Sequence, residues 1–252
     1  KRFAKITRPT TSQTSSSLTA SGVSLNLTSG PKVVTKPTIT SLRLNCGNKP
    51  KGDPVTGSNN ITVLASGNLG KLKELQAAMS DTGLKLQPQS DFAVPEAEED
   101  GLTFVENSLK KARNAALHTG LPALADDSGL VVPALGGAPG IHSARFSGQG
   151  DTQNNEKLLQ EMLPLHGQDR KAWFVCVLVK IASANDPTPI IAEGYWHGHI
   201  AKLPSGTSGF GYDPLFQVDE SGRTAAQLSR AEKQALSHRG QAVRILRHKL
   251  EH

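Results

Sequence analysis

The run Ile61-Thr62-Val63-Leu64-Ala65-Ser66-Gly67-Asn68-Leu69-Gly70-Lys71 constrains the chain more than any other stretch, because an apolar strand passes through a polar, glycine-bearing turn directly into a helix. Val63 and Leu64 sit in a short strand-type run, and Leu72, Leu75 and Met79 recur beyond it at helical spacing. Strand, tight turn and helix in that order make an α/β domain. The first N–H groups of a helix lack intrahelical partners and the helix dipole favours an anion there, so the turn is suited to hold phosphate. Gly67 and Gly70 allow close backbone approach, and Lys71 adds a point charge. An ordinary tight connection is the plainer reading of the same residues. This is not a Walker A loop: only two residues separate Gly67 from Gly70, and Leu72 stands where a Mg²⁺-binding Ser or Thr would be.

Charge divides the chain in two. Residues 1–60 hold nine Lys or Arg against one acid, Asp53, a net of +8, whereas the remainder has 19 basic and 21 acidic residues, a net of −2. The basic excess therefore belongs to the leading segment, and the body lacks the electrostatic footprint of a nucleic-acid binder. Residues 1–58 are rich in Ser and Thr, carry one aromatic, Phe3, and show no sustained period, so they are expected to be a disordered extension. Their composition also fits an organelle transit peptide or a bare extension. Residues 59–252 are expected to form the folded domain. No run approaches the roughly 18 apolar residues of a membrane span. Two cysteines, Cys46 and Cys176, make no disulfide framework, which points to an intracellular chain, cytoplasmic unless residues 1–58 direct it to a plastid or mitochondrion.

Beyond the first helix, residues 84–86 suggest a second strand. The acidic stretch Glu96, Glu98, Glu99 and Asp100 precedes a helix marked by the capping-box pair Thr103 and Glu106, with Val105, Leu109, Ala112 and Ala116 as its buried stripe. A strand over 123–125 then leads into Asp126-Asp127-Ser128-Gly129. A glycine-rich loop over 136–140 and a helix over 152–163 follow. Residues 172–181 and 190–200 read as an antiparallel hairpin. A polar loop over 205–213 precedes a strand over 215–218, a helix capped by Ser229 with Glu232, and a last helix from about Gln241.

Adjacent residues on an extended chain point to opposite faces, so only one of Asp126 and Asp127 is expected to face a cleft. A carboxylate at a strand end can accept a proton from water or hold Mg²⁺, and Glu99 is the candidate second oxygen ligand. A solvated acidic turn is the alternative. Ser208-Gly209-Phe210-Gly211-Tyr212-Asp213-Pro214 sets two aromatic rings among glycines, a composition suited to stacking on a base or to a packed turn. Lys233, His238 and Arg239 bring donors together near the C-terminus, although a solvated helix face has the same spacing. His197 and His199 share a strand face, without the further ligands a zinc site needs.

The ordered set Ser66-Gly67-Asn68-Leu69-Gly70-Lys71, Gly101-Leu102-Thr103-Phe104-Val105-Glu106-Asn107, Ala125-Asp126-Asp127-Ser128-Gly129-Leu130, Gly136-Gly137-Ala138-Pro139-Gly140, Phe210-Gly211-Tyr212-Asp213 and Ser237-His238-Arg239-Gly240 closely resembles the inosine triphosphate pyrophosphatase family over residues 61 to about 250. The resemblance implies a mixed α/β fold with a long curved sheet flanked by helices and two lobes around a central cleft. It implies a homodimer that cleaves the noncanonical purine nucleotides ITP, dITP and XTP to the monophosphate and pyrophosphate with Mg²⁺. It further implies that Ser66, Gly67, Asn68, Leu69, Gly70 and Lys71 bind the triphosphate, with Lys71 neutralising charge, and that Asp127 is proton acceptor and metal ligand with Glu99 assisting. Ser128, Phe210, Gly211, Tyr212, Asp213, Lys233, His238 and Arg239 would contact the nucleotide. Two rivals remain at this level: a nucleotide kinase with the same phosphate grip, and a nucleic-acid binder using the basic segment.

Overall fold

The computed structural model describes residues 61–252, apart from Asn68, Asp81, Asp219, His252 and the side chain of Leu69. The boundary at 58/59 and the readings of residues 1–58 lie outside the described residues, as does the binding role expected of Asn68. Six strands form one mixed sheet in the order β2-β1-β3-β4-β5-β6: β1 Ile61–Ala65, β2 Lys85–Pro88, β3 Ala123–Val131, β4 Lys171–Ile181, β5 Ile190–Ile200 and β6 Phe216–Gln217. β1 is parallel to β2 and β3, and every later pairing is antiparallel. Five α-helices accompany these strands among the described residues: α1 Leu69–Ala78, α2 Phe104–Thr119, α3 Asp151–Glu161, α4 Arg230–Leu236 and α5 His238–Leu250. The mixed α/β class read from the sequence is the one found.

The side-chain alternation of β4 explains the layering. Val175, Val177 and Val179 face one way and pack with Ala112, Ala115 and Ala116 of α2. Cys176 and Leu178 face the other way, against Leu75 and Met79 of α1's side and Ala242, Val243 and Leu246 of α5. The sheet thus carries helices on both faces, and full burial of each large aliphatic side chain contributes about 1.5–3 kcal/mol. Farther along the sheet Phe174, Trp196, Tyr212, Leu215 and Phe216 form a third cluster. Cys176 is wholly buried, and burial pushes its thiol up to about 12, so it acts as a small apolar residue.

Several boundaries differ from expectation. β3 runs nine residues, so Asp126 and Asp127 lie inside a strand and not at its end. The strand signal looked broken at two consecutive acids, but β4 pairs with this segment throughout, Asp126 opposite Leu178 and Asp127 opposite Val177. Only the parallel pairing with β1 stops there, at Ala65 opposite Ala125. β2 is shifted to Lys85–Pro88, with its proline tolerated on an edge strand. β6 is cut to two residues. α5 begins at His238, three residues before the expected start, because Ser237 closes α4 and its hydroxyl also accepts from the Gly240 N–H.

The start of α5 lies directly on β5. A Cβ on Gly194 would come 2.0 Å from the His238 carbonyl oxygen and 2.7 Å from the Ala242 nitrogen, both backbone atoms that cannot swing aside. Gly194→Ala is therefore expected to lift the first turn of α5, lowering the melting temperature and displacing His238 and Arg239. Overpacking of this kind costs about 1–3 kcal/mol. Thermal melting checks the first effect and nucleotide affinity the second; an unchanged Gly194→Ala protein would mean that the contact is slack.

Candidate active site

Past Ala125 the β1 side of β3 has no strand neighbour among the described residues, and a cavity of about 450 Å³ opens along that flank. Its wall includes Ser66 and Gly67 after β1, Lys71 in the first turn of α1, Glu99, Lys111 of α2, Asp126, Asp127 and Arg145. A narrower pocket of about 90 Å³ adjoins it, lined by Phe210, Tyr212, Asp213, Lys233, His238 and Arg239 among others. Lys71 and Ser128 border both. Most of the residues singled out from the sequence thus gather into a charged compartment and an aromatic one that meet at β3, whereas Gly70 lines neither. Of Leu69, only its place at the start of α1 is described.

Both aspartates border the charged cavity, contrary to the expectation that one would turn away, because β3's flank is uncovered there. Their environments nonetheless differ. Asp126 is buried, its Oδ2 3.2 Å from Lys71 Nζ, accepting from Ser128 Oγ at 3.1 Å and 3.9 Å from an Arg239 guanidinium nitrogen. Burial opposes its charge, but Lys71, Arg239 and Lys111 more than offset that and hold the carboxyl well below the usual range. Asp127 takes Lys111 Nζ on Oδ1 at 3.0 Å, while its buried Oδ2 has no hydrogen-bond partner among the described residues. Burial raises the Asp127 carboxyl, and Lys111 offsets only part of the rise.

Glu99 faces the same ammonium group: Lys111 Nζ lies 3.1 Å from Oε1, and Arg145 donates to Oε2 at 2.6 Å. Burial works against its ionisation, yet these two cations leave its carboxyl lowered. Lys111 therefore sits between the two carboxylates that the sequence proposed as metal ligands. Neither it nor Arg145 was legible as a site residue, since a lysine on an amphipathic helix and an arginine in a loop ordinarily point to solvent. The available signal was the spacing Asn107 to Lys111, one helical turn past the capping box.

In the aromatic pocket, Asp213 organises the loop: its Oδ2 accepts from the Phe210 N–H at 2.8 Å and from Lys233 at 2.5 Å. Burial raises the Asp213 carboxyl, with Lys233 as the main opposing influence. Lys233 Nζ lies 4.9 Å from the Phe210 ring centroid and the Arg239 guanidinium 5.7 Å. Tyr212 turns inward and donates to the Ser143 carbonyl at 2.8 Å, so only Phe210 of the two loop rings is placed to stack. His238 lies nearly parallel to Phe174, centroids 4.8 Å apart, and burial keeps it neutral at physiological pH. Arg239 is buried as well, donating to Glu74 at 2.6 Å and to Ser128 Oγ at 3.2 Å. A solvated helix face is thereby ruled out for these two residues. His197 and His199 are exposed on β5, and among the described residues no group of three or more His, Cys, Asp or Glu is arranged to hold a metal ion.

A chain with this geometry has recognisable relatives. The profile of the Ham1 family matches residues 62–249. The dITP/XTP pyrophosphatase of Thioalkalivibrio sulfidiphilus is 56% identical over 191 residues, 75% of this chain and 97% of the relative. The dITP/XTP pyrophosphatase of Escherichia coli K12 is 55% identical over 186 residues, 73% of this chain and 94% of that protein. Among solved structures, a HAM1 protein from Coxiella burnetii superimposes with a TM-score of 0.71 at 49% identity, covering 76% of this chain and 98% of its own. A nucleoside-triphosphatase described as a dITP/XTP pyrophosphatase from Mycobacterium abscessus gives a TM-score of 0.62 at 41% identity, covering 74% and 98%.

Proposed function

The chain belongs to the Ham1 family, and from that membership we propose that it is a hydrolase of noncanonical purine nucleoside triphosphates, ITP, dITP and XTP, releasing pyrophosphate and the monophosphate. The observation that carries this reading is the junction of the two compartments: a cavity with Lys71 and Lys111 opens beside an aromatic pocket, and Ser128 lies on the border. Phosphates belong in the first, a purine in the second. The nucleotide's α-phosphate then falls near β3, within reach of Asp127.

In this reading Asp127 takes a proton from water whose oxygen attacks the α-phosphorus. One P–O bond forms, the bond to the bridging oxygen breaks, and pyrophosphate leaves with its electron pair. Lys71 and Lys111 face the departing charge from fixed positions, so positioning and electrostatics supply most of the acceleration. The residues also fit a divalent cation. Asp127 Oδ2 is a buried oxygen without a hydrogen-bond partner among the described residues, and the Lys111 ammonium pairs with both Asp127 Oδ1 and Glu99 Oε1. Mg²⁺ usually takes one or two carboxylates plus substrate phosphates, and when bound there it would neutralise phosphate charge. Asp127 and Glu99 would hold it. A homodimer is part of the same proposal, and sedimentation would check it.

Base preference follows from donors and acceptors. ITP and XTP carry a 6-oxo acceptor where ATP carries an amino donor, and Arg239 can only donate. The test is pyrophosphate release from ITP, XTP, ATP and GTP with and without Mg²⁺. Fast, metal-dependent release from ITP and XTP supports the proposal, whereas phosphorylation of an acceptor nucleotide would support the kinase. Lys71→Ala is expected to weaken ITP far more than the product IMP, by about tenfold or more for one lost charge-assisted contact. Competition by the two ligands checks this, and equal losses would make Lys71 a structural partner of Asp126.

A further inference from the structure

Gly211 lies at the centre of the loop that presents Phe210, with φ at +62°, and neither of its own polar groups is held by the loop itself. Its N–H donates to Asp151 Oδ2 at 2.8 Å, and its carbonyl accepts from Asn155 Nδ2 at 2.9 Å. Asp151 and Asn155 are one turn apart on α3, so they share a face and grip Gly211 from both sides. Asp151 also borders the aromatic pocket, while neither residue borders the charged cavity.

We propose that Asp151 and Asn155 form a clamp that sets the base-stacking loop, making them positioning residues for purine recognition that leave the phosphate compartment alone. This rests on the reading of the aromatic pocket as the purine site. The left-handed backbone at Gly211 turns the chain between Phe210, whose ring faces Lys233 and Arg239, and Tyr212, which is anchored inward. Releasing Gly211 detaches the turn that carries the Phe210 ring from α3 and leaves its position less firmly set. Asp213 closes the turn over Gly211, its Oδ2 accepting from the Phe210 N–H and its own N–H donating to the Phe210 carbonyl at 3.3 Å, and Tyr212 is held to Ser143, but Gly211's own N–H and carbonyl are held from α3. The chemistry of the clamp is also directional. Position 151 must accept and position 155 must donate.

Full-length variants Asp151→Ala, Asp151→Asn and Asn155→Leu separate this from a general packing role. The expected result is a KM for ITP raised about tenfold in Asp151→Ala and Asn155→Leu, the size of one lost hydrogen bond, with kcat changed much less. Asp151→Asn keeps an acceptor oxygen and is expected to stay near the unaltered protein. Inhibition by tripolyphosphate, which carries no base, is expected to be unchanged throughout, and calorimetric binding of IMP to weaken in step with KM. Unchanged KM and IMP affinity in well-folded Asp151→Ala and Asn155→Leu would overturn the clamp. So would equal weakening of ITP and tripolyphosphate, because that would mean the whole site had shifted. Failure of the unaltered protein to release pyrophosphate from ITP would contradict the hydrolase reading instead, and the IMP calorimetry would still decide the clamp.

Discussion

Asp127→Asn is expected to lose about 10²–10⁴ of the turnover with ITP, the usual contribution of a general base, while melting at or above the temperature of the unaltered protein at neutral pH. Asn preserves the shape but can neither take the proton nor balance a cation. The stability half follows from the direction of the shift. Burial raises the folded-state carboxyl of Asp127 above its ordinary value of about 3.9. A raised group gives its full stabilisation below the unfolded value and loses it as pH rises through the folded value, so at neutral pH the ionised Asp127 is a cost that Asn removes. Turnover should climb across the same interval as the base ionises. Rates and melting curves from pH 4 to 8 check both halves. Near-normal turnover in Asp127→Asn would reject its role as base.

One residue earlier the expectation inverts. Asp126→Asn should reduce stability by about 3–5 kcal/mol, the cost of breaking a buried ion pair, because Asp126 is held ionised by Lys71 and Arg239 at the centre of the fold. Its contribution is full above the ordinary carboxylate value and is lost as pH falls through and below it. The difference in stability between Asp126→Asn and the unaltered protein is therefore expected to shrink in acid. Denaturant titrations at pH 7 and at about pH 2, below the ordinary carboxylate value of about 3.9, measure this. A loss at neutral pH no larger than that of an exposed substitution would mean that Asp126 is not the charge centre described. In the proposed mechanism two adjacent carboxylates with pKa values pushed apart would divide the labour, Asp126 holding Lys71 and Arg239 and Asp127 moving the proton.

Much of this was legible in the sequence, and the gaps have physical causes. The strand, turn and helix over residues 61–78, the capping box at Thr103 and Glu106, and the β4–β5 hairpin follow from local patterns, and each is found. The start of α5 was hidden because Ser237 serves two helices at once, which no single-helix pattern anticipates. β3 was cut short because two charged residues rarely occupy a buried strand; Lys71, Lys111 and Arg239, distant in sequence, make it possible. Lys111, Arg145 and Glu74 were missed for the related reason that single charges on helices and loops are ordinarily solvated. Asp151 and Asn155 reach Gly211 across 60 and 56 residues of chain. Such contacts are properties of the tertiary fold, and no local spacing encodes them.

Hydrolysis of ITP in ¹⁸O-labelled water addresses the central assignment, attack at the α-phosphorus by water activated at Asp127. The account predicts label in the IMP phosphate, none in the released pyrophosphate, and loss of both products in Asp127→Asn. Label in pyrophosphate, or orthophosphate and IDP as the products, would place the attack at another phosphorus and contradict it.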